Sequence, residues 1–432
     1  MESKVISSAE KAGLKVSDMA QSLVGSEIIK LAGEVKALMD QGEKIFNLTI
    51  GDFNTKEFPL PKKLKELIQH HYELGNNNYP LSNGVLELRK TLSSYLNENL
   101  GLGYSPEEIL VSGGGRPLIY AVYQALIDPQ DKVVFPVPSW NNNHYTHLSS
   151  GVSVMVETKA EDHFMPNLER LAPHLEDATL LALCSPLNPT GTVFKPEDLK
   201  AICDRVVEIN ARRLSADQKP LYVIYDQIYW QLTYGDTAHV DPVNLVPEMR
   251  NYTIYIDGLT KAFAATGVRV GWAFGPAPII AKMKSILGHV GAWSPKAEQM
   301  ATADFLKDHD AVNQYLVQIR SGLETRLHGF YAGFMRLKNA GFDVDAIAPQ
   351  AAIYLTIQLN LIGKKTPSGT LLEKTEDITD YVLKAASIAV VPFYAFGASR
   401  NSTWYRLSVG TVSISQIDEA IDALEMALKQ LS

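Results

Sequence analysis

Cysteine is scarce in this chain of 432 residues, which contains only Cys184 and Cys203. Two cysteines can form neither a disulfide framework nor a four-ligand zinc site, and such scarcity is typical of proteins of the reducing cytoplasm. The chain also lacks any run of about 18 consecutive apolar residues, the length that a membrane-spanning helix needs. Its first residues, MESKVISSAEKAG, have no apolar signal core. We therefore expect a cytoplasmic protein with no metal site and no membrane partner.

An excess of positive charge is missing as well. The formal net charge is −8, which disfavours a broad nucleic-acid-binding surface. No segment is rich in glycine or proline, since the 29 glycines and 22 prolines are spread along a chain that is 46% hydrophobic. This composition is typical of a globular protein, and the length predicts two or three domains.

Short apolar segments alternate with stretches of helical periodicity from about residue 105. The predicted strands are Glu108–Ser112, Lys132–Phe135, Val152–Val156, Thr179–Cys184, Leu221–Tyr225, Tyr252–Ile256 and Val268–Phe274. This alternation predicts an α/β fold with a mostly parallel sheet and helices on both faces, and ligands of such sheets bind beyond the carboxyl ends of the strands. After about residue 295 the alternation stops, which predicts a smaller α+β domain. A helix predicted to start at Ser26 joins that domain or bridges the two.

A lysine in poorly solvated surroundings stands in the segment YIDGLTKAFAATGVRVGWAFGP. Small apolar residues surround Lys261, and desolvation favours the neutral, nucleophilic form of its amine. Such amines form Schiff bases with carbonyl compounds, pyridoxal phosphate (PLP) among them. Arg269, further along the segment, suits bidentate phosphate contact. The alternative is a surface lysine and a structural arginine in an ordinary strand–turn–strand.

Other candidate residues follow predicted strands. Gly113-Gly114-Gly115 precedes a helix, where backbone amides could hold a phosphate, although a flexible turn explains the glycines equally well. Asn188 is fixed between two prolines in PLNPTG, as a hydrogen-bond donor or as part of a structural turn. Asp226 ends an apolar strand, where a carboxylate needs a cationic partner or caps a helix, and Tyr229 follows it. Trp140 could stack on a planar ring or simply pack.

Taken in order, these segments resemble the PLP-dependent class I/II aminotransferases of fold-type I, and most of all the branch that contains the aspartate aminotransferases. The resemblance covers nearly the whole chain and includes LTIGDF, SPLNPTG, YDQIY, the lysine segment and RLSVG. It implies a large domain with a mostly parallel, mixed sheet covered by helices, plus a smaller α+β domain. The implied limits are 1–49 for an amino-terminal segment that packs with the small domain, 50–304 for the large PLP-binding domain and 305–432 for the small domain.

The resemblance also implies roles for residues around the cofactor ring. Lys261 would form the internal aldimine and later move the proton between the substrate Cα and C4′ of the cofactor. Asp226 would pair with the pyridinium nitrogen, and Tyr229 and Asn188 would hydrogen-bond the ring oxygen. Trp140 would stack on the ring and, with Asn188, would also border the substrate.

Two anionic groups remain to be bound, the cofactor phosphate and the substrate carboxylate. The phosphate ligands implied by the resemblance are Gly114, Gly115, Arg116, Thr260, Arg269 and, from the neighbouring subunit of a homodimer with shared active sites, Tyr79. Arg406 would hold the α-carboxylate of the substrate beside the Gly51 backbone. Arg116 would also contact the distal carboxylate of aspartate or glutamate, and a role on the phosphate alone is the alternative.

The chain departs from the family pattern in three places, one of which is Pro117 directly after Arg116. Gly258 stands three residues before the lysine, where a hydroxyl residue that binds the phosphate is usual, and Thr260 is the candidate replacement. The interval between Asn188 and Asp226 is longer than is common, and we predict that residues 212–220 form a lengthened surface loop.

The function expected from the resemblance is amino-group exchange between an amino acid, aspartate or glutamate, and a 2-oxo acid, 2-oxoglutarate, by a ping-pong mechanism through the Schiff base of Lys261. An aromatic or other amino acid transaminase and a C–S lyase of the same fold are the alternatives. A PLP-binding gene regulator would need a DNA-binding domain in front, and only about 50 residues precede Gly51.

Overall fold

The structure, a computed structural model, describes residues 15–25 and 27–432. The described residues contain thirteen strands, β1 Phe46–Asn47, β2 Ile109–Ser112, β3 Lys132–Val137, β4 Val152–Glu157, β5 Ala178–Cys184, β6 Tyr222–Asp226, β7 Thr253–Gly258, β8 Gly271–Phe274, β9 Val344–Ala346, β10 Tyr354–Leu359, β11 Ile388–Ala389, β12 Val391–Pro392 and β13 Trp404–Ser408. The α-helices are Asp18–Ser22, Glu27–Asp40, Lys62–Glu73, Leu86–Leu100, Gly115–Leu126, Asn142–Leu148, Leu168–Leu175, Pro196–Ser215, Pro242–Leu245, Ala277–Val290, Lys296–Lys307, His309–Asn339, Thr375–Ala386 and Ser415–Lys429.

Seven strands form the central sheet in the order β2-β8-β7-β6-β5-β3-β4. All neighbours are parallel except β8, which runs antiparallel to both β2 and β7. The inner strands are apolar on both faces, as is expected when helices cover a parallel sheet on both sides. In β5, for example, Leu180 and Ala182 pack with the helices Gly115–Leu126 and Ala277–Val290. Leu181 and Leu183 face the opposite core, which includes the helix Pro196–Ser215. The predicted fold class is confirmed.

A second sheet of four antiparallel strands, in the order β12-β13-β10-β9, lies in the carboxyl-terminal part of the chain. It packs on the helices His309–Asn339, Thr375–Ala386 and Ser415–Lys429. The amino-terminal part joins this unit, because β1 pairs in parallel with β11. The limits at 49/50 and 304/305 stay a prediction, and residues 304 and 305 lie inside the helix Lys296–Lys307.

Some element limits differ from those predicted. The last predicted strand of the large sheet begins only at Gly271, because Arg269 has a positive φ of 60° and cannot lie in a strand. Residues 212–215 are not loop but the last turn of the helix Pro196–Ser215, where Arg212 forms ion pairs with Glu176 and Glu208. The predicted helix start at Ser26 falls on a residue outside the described ones. No helix among residues 15–25 and 27–432 is both long and apolar enough to cross a membrane.

Candidate active site

A cleft of about 510 Å³ opens at the carboxyl ends of β5, β6 and β7 and is closed on the other side by residues of the smaller unit. Eleven of the residues predicted from the sequence line it, namely Gly51, Gly115, Arg116, Trp140, Asn188, Asp226, Tyr229, Thr260, Lys261, Arg269 and Arg406. The structure therefore brings together side chains from distant parts of the chain, as parallel strand ends do.

Two predicted residues do not line this cleft. Gly114 lies just behind it with a φ of 96°, and a Cβ atom there would overlap the guanidinium of Arg269. Tyr79 is 83% exposed, and its ring contacts the edge of Trp293 at a centroid distance of 5.2 Å. Within one subunit, Tyr79 is therefore separate from the other predicted residues.

Lys261 follows β7, and its Nζ donates a hydrogen bond to the backbone carbonyl of Gly51. Burial lowers the pKa of Lys261 to about 8; Asp52 opposes this change, and the charges of Arg406, Arg116 and Arg269 add to it. An amine with this pKa is partly neutral near neutral pH, so it can act as a nucleophile and as a base.

Asp226 ends β6 directly opposite Cys184 of β5. Burial raises its pKa to about 6, although the Ile228 N–H donates to Oδ1 at 3.1 Å and Lys261 favours the charged form. Asp226 forms no ion pair with any residue that the structure describes. A carboxylate in such a position is suited to a ligand that brings a positive charge, such as a protonated ring nitrogen.

Arg406 lies on β13 and is 1% exposed, yet its hydrogen-bond acceptors are neutral. Its two terminal nitrogens donate to Asn188 Oδ1 at 3.0 Å and to the Thr49 carbonyl at 2.6 Å, and its Nε has no partner among the described residues. The guanidinium carbon lies 4.6 Å from the Tyr354 ring centre and 4.8 Å from that of Phe396. A buried guanidinium without a carboxylate is suited to a ligand that supplies one.

Arg269 is held by the backbone of two loops. Its terminal nitrogens donate to the Thr266 carbonyl at 2.8 Å and to the Gly113 carbonyl at 2.7 Å. The guanidinium therefore fixes the glycine turn before the helix Gly115–Leu126, whose amino terminus faces the cleft. A positive side chain beside a helix amino terminus is an anion-binding arrangement.

The glycine at position 258 is explained by packing. Gly258 lies in β7 against Gly271, and a Cβ atom would come within 2.9 Å of both the Gly271 Cα and the Val270 carbonyl oxygen. No hydroxyl side chain fits there without a backbone shift. Thr260 does line the cleft. Its position agrees with the prediction that its hydroxyl serves as a phosphate ligand in place of the hydroxyl missing at position 258.

Arg116 is in the first turn of the helix Gly115–Leu126, exposed towards the cleft, with its guanidinium carbon 5.3 Å from the Trp140 ring centre. Three arginines and one lysine line the cleft, against the two carboxylates of Asp52 and Asp226. This excess of positive charge fits ligands with several negative charges.

Tyr354 is a cleft residue that was missed by the sequence analysis. Its hydroxyl lies 2.6 Å from that of Tyr229, and both side chains are buried. Tyr354 stands in the apolar run of β10, whose sequence, YLTIQL, gives no signal of a binding residue. Only the strand pairing reveals it, because β10 lies beside β13, which carries Arg406.

The donor set of the cleft fits PLP. A nucleophilic amine faces the position for an aldehyde, a buried carboxylate can pair with a pyridinium nitrogen, and an arginine beside a helix amino terminus can hold a phosphate. The partnerless Nε of Arg406 adds a site for a substrate carboxylate. The fold and the cleft together define an enzyme of the PLP-dependent, fold-type I class.

Comparison with known proteins gives the same answer. Residues 43–424 match the family described as aminotransferase class I and II, and the chain belongs to this family. It is similar to the aspartate aminotransferase of Geobacillus stearothermophilus, with 28% identity over 97% of this chain and 98% of that protein. Among solved structures it is similar to the aspartate aminotransferase of Rhizobium meliloti, with a TM-score of 0.86, 26% identity and coverage of 97% of this chain and 100% of that one. The aspartate aminotransferase of Thermus thermophilus with maleate has a TM-score of 0.85 and 27% identity, with 96% and 100% covered.

The protein is therefore a PLP-dependent transaminase, and the predicted family, enzyme class and cofactor are confirmed.

Proposed function

We propose that the protein exchanges the amino group of aspartate or glutamate with a 2-oxo acid, 2-oxoglutarate. The observation that carries this proposal is the pair of arginines in one cleft, Arg406 and Arg116, neither of which has a carboxylate partner among the described residues. A dicarboxylic substrate supplies one carboxylate to each arginine. The similarity to aspartate aminotransferases, one of them with the dicarboxylate maleate, supports the same substrate class.

The side chains around Lys261 are assigned roles that agree with their surroundings. Lys261 would hold the cofactor covalently and would serve as the base that moves the proton at the substrate Cα. Bound PLP supplies an electron sink for the charge left on Cα. Asp226 would hold the proton of the ring nitrogen, and the negative charge needed for this role agrees with a pKa of about 6. Asn188 accepts from Arg406 through Oδ1, which leaves its Nδ2 to donate to the ring oxygen beside Tyr229. The Trp140 indole would lie against the ring, and Thr260, Arg269, Gly114 and Gly115 would hold the phosphate.

A second candidate is a transaminase for aromatic or other apolar amino acids. Ile28, Ala32 and Ile50 line the cleft and give part of its wall an apolar character. The two candidates differ in how Arg116 is used, because an apolar side chain leaves its charge without a partner.

The assembly proposed here is a homodimer in which Tyr79 completes the phosphate site of the partner subunit. Its exposure of 83% and its place outside its own cleft support this role. A cytoplasmic location is proposed from the two free cysteines, which agree with a reducing compartment.

The proposal is tested by mixing purified protein with a panel of amino acids and following the visible absorbance of the bound cofactor. Aspartate and glutamate should bleach the band fastest, and 2-oxoglutarate should restore it. Borohydride reduction and peptide mapping should place the pyridoxyl label on Lys261. A label on another lysine contradicts the assigned site, and fastest bleaching by phenylalanine or leucine favours the second candidate.

A further inference from the structure

Tyr354 contacts three parts of the cleft whose relative positions matter for the transaminase reaction. Its hydroxyl lies 2.6 Å from the hydroxyl of Tyr229, on the cofactor side. Its ring lies 4.6 Å from the guanidinium carbon of Arg406, on the carboxylate side. Its hydroxyl also lies against Gly51, where an added Cβ atom would come within 2.6 Å of the oxygen. The Gly51 carbonyl is the acceptor of the Lys261 amine.

The bond between the two phenols has a preferred direction. A hydroxyl group has one proton to donate and two lone pairs to accept with. If Tyr229 is to donate its proton to the cofactor ring oxygen, the hydrogen bond between the phenols must be donated by Tyr354. Tyr354 is 2% exposed, so its hydroxyl is held mainly by protein atoms.

We propose that Tyr354 is a positioning residue, which donates its hydroxyl proton to Tyr229, turns the Tyr229 O–H towards the cofactor ring oxygen, and supports Arg406 with its ring face. This inference rests on the proposed roles of Tyr229 and Arg406. Accepting a hydrogen bond makes a hydroxyl a stronger donor, by about 10–30% per bond. Tyr354 therefore strengthens the contact of Tyr229 with the cofactor without touching the cofactor through its own hydroxyl.

The two functions of the side chain are separated by two substitutions. Tyr354→Phe removes the hydroxyl and keeps the ring under Arg406, so kcat should fall while the KM for the amino acid stays close to that of the wild type. Tyr354→Leu removes the ring as well, and KM should rise by about 10- to 30-fold, the value of a desolvated cation–π contact. The matched control is Tyr234→Phe, which removes another buried hydroxyl, one that donates to the Ala352 carbonyl outside the cleft.

The decisive readout is the pH at which the visible band of the bound cofactor changes in the resting enzyme. A donor on the ring oxygen stabilises negative charge there, which favours loss of the titrating proton and lowers the midpoint. In Tyr354→Phe the midpoint should therefore rise, by about 0.2–0.7 of a pH unit. Tyr234→Phe should leave it in place even if its melting temperature falls equally.

Two further variants extend the test, and the first makes it independent of the folding of Tyr354→Phe. Gly51→Ala should push the Tyr354 hydroxyl away and reproduce the rise of the midpoint with the tyrosine intact. In a Tyr229→Phe background, Tyr354→Phe should add no further shift, since its effect passes through Tyr229. An unchanged midpoint in Tyr354→Phe, or an equal shift with and without the Tyr229 hydroxyl, overturns the inference. A wild-type enzyme that carries no label on Lys261 instead overturns the proposed function.

Discussion

The Nζ of Lys261 donates a hydrogen bond to the backbone carbonyl of Gly51, a residue of the segment that leads from the amino-terminal part into the large sheet unit. The acceptor is neutral, and no carboxylate forms an ion pair with Lys261 among the described residues. A lysine held in this way keeps its position without a partner that would fix its proton. Burial, which no ion pair offsets among the described residues, lowers the pKa of Lys261 to about 8.

The first prediction concerns the pH dependence of cofactor attachment to the cofactor-free protein. Only the neutral amine attacks an aldehyde, so the initial rate should rise about tenfold per pH unit up to about pH 8 and level off above it. Stopped-flow recording of the visible band measures this rate. Nα-acetyl-lysine, the matched free amine, should show a rate that rises up to a higher pH. A profile for the protein that follows the free amine would contradict the effect of burial.

Asp226→Asn should retain the fold and the cofactor but lose activity. The amide keeps the shape and can still accept from the Ile228 N–H, while the negative charge proposed to hold the ring-nitrogen proton is gone. We expect kcat to fall by about 10²- to 10⁴-fold. Cofactor content by absorbance and the melting temperature serve as controls. Near-normal turnover of this variant would remove Asp226 from the mechanism.

Most of the cleft could be predicted because its residues follow strands that are recognisable as apolar runs. Asp226 and Lys261 are examples, since a parallel sheet places both strand ends at one edge. Arg269 was predicted as a residue, but its left-handed backbone was not, because nothing in the local sequence favours a positive φ for arginine. Tyr354 could not be found, since its role depends on the pairing of β10 with β13, a contact between distant segments.

The predicted loop at residues 212–220 was wrong in its first part for a related reason. Polar residues and Pro220 indicate a loop when they are taken locally. In the structure, ion pairs of Arg212 with Glu176 and Glu208 extend the helix, and Glu176 comes from another helix end. The Arg212–Glu208 pair is local to one helix, whereas the Arg212–Glu176 pair forms only after two helices have packed together.

A second carboxyl group, Asp257, gives a prediction for stability. Asp257 is 2% exposed and accepts from the Trp230 indole at 2.8 Å and from the Gly258 N–H at 2.7 Å. Burial raises its pKa to about 8, and the charge of Asp226 adds to this effect. The folded protein thus binds one more proton than the unfolded chain between about pH 4 and pH 8, so stability falls as the pH rises through this window.

The Asp257→Asn variant has no carboxyl group at this position, so it should not lose stability in this way as the pH rises. The difference in unfolding free energy between variant and wild type should shift in favour of the variant by roughly 2–4 kcal/mol from pH 5 to pH 8, and stay constant above that. Urea unfolding at several pH values measures it. A difference that does not vary with pH would show that Asp257 is already ionised at pH 5.

The proposed dimer is tested through Tyr79. Tyr79→Phe should weaken cofactor binding by about 10- to 150-fold, the range for a charge-assisted hydrogen bond. The melting temperature of the cofactor-free protein should not change, because the side chain is exposed within its own subunit. Mixed dimers of Tyr79→Phe with Lys261→Ala subunits should regain one tight site, built from the intact lysine of one subunit and the intact tyrosine of the other. An active monomer in sedimentation, or no recovery in the mixed dimers, would contradict the shared site.

The last prediction concerns acidic substrates and separates the two roles open to Arg116. Arg406 is buried, and its proposed ligand is the α-carboxylate that every amino acid has, so it should not discriminate between side chains. Arg116 is exposed to the cleft beside Trp140, where a distal carboxylate can reach it. Arg116→Ala should therefore lower kcat/KM for aspartate and glutamate by about 10- to 150-fold. Alanine and phenylalanine should be nearly unaffected, since they leave the arginine unpaired in the wild type.

Arg116→Lys is the matched control for this change. It retains a positive charge but loses the planar fork, so it should restore part of the activity towards aspartate and leave that towards alanine unaltered. The affinity for PLP, measured by the visible band, should stay within about twofold of the wild type in both variants, because the proposed phosphate ligands are Arg269 and the helix amino terminus. If PLP affinity falls instead, or if kcat/KM falls equally for all four amino acids, Arg116 serves the phosphate and the proposed preference for dicarboxylic substrates loses its basis.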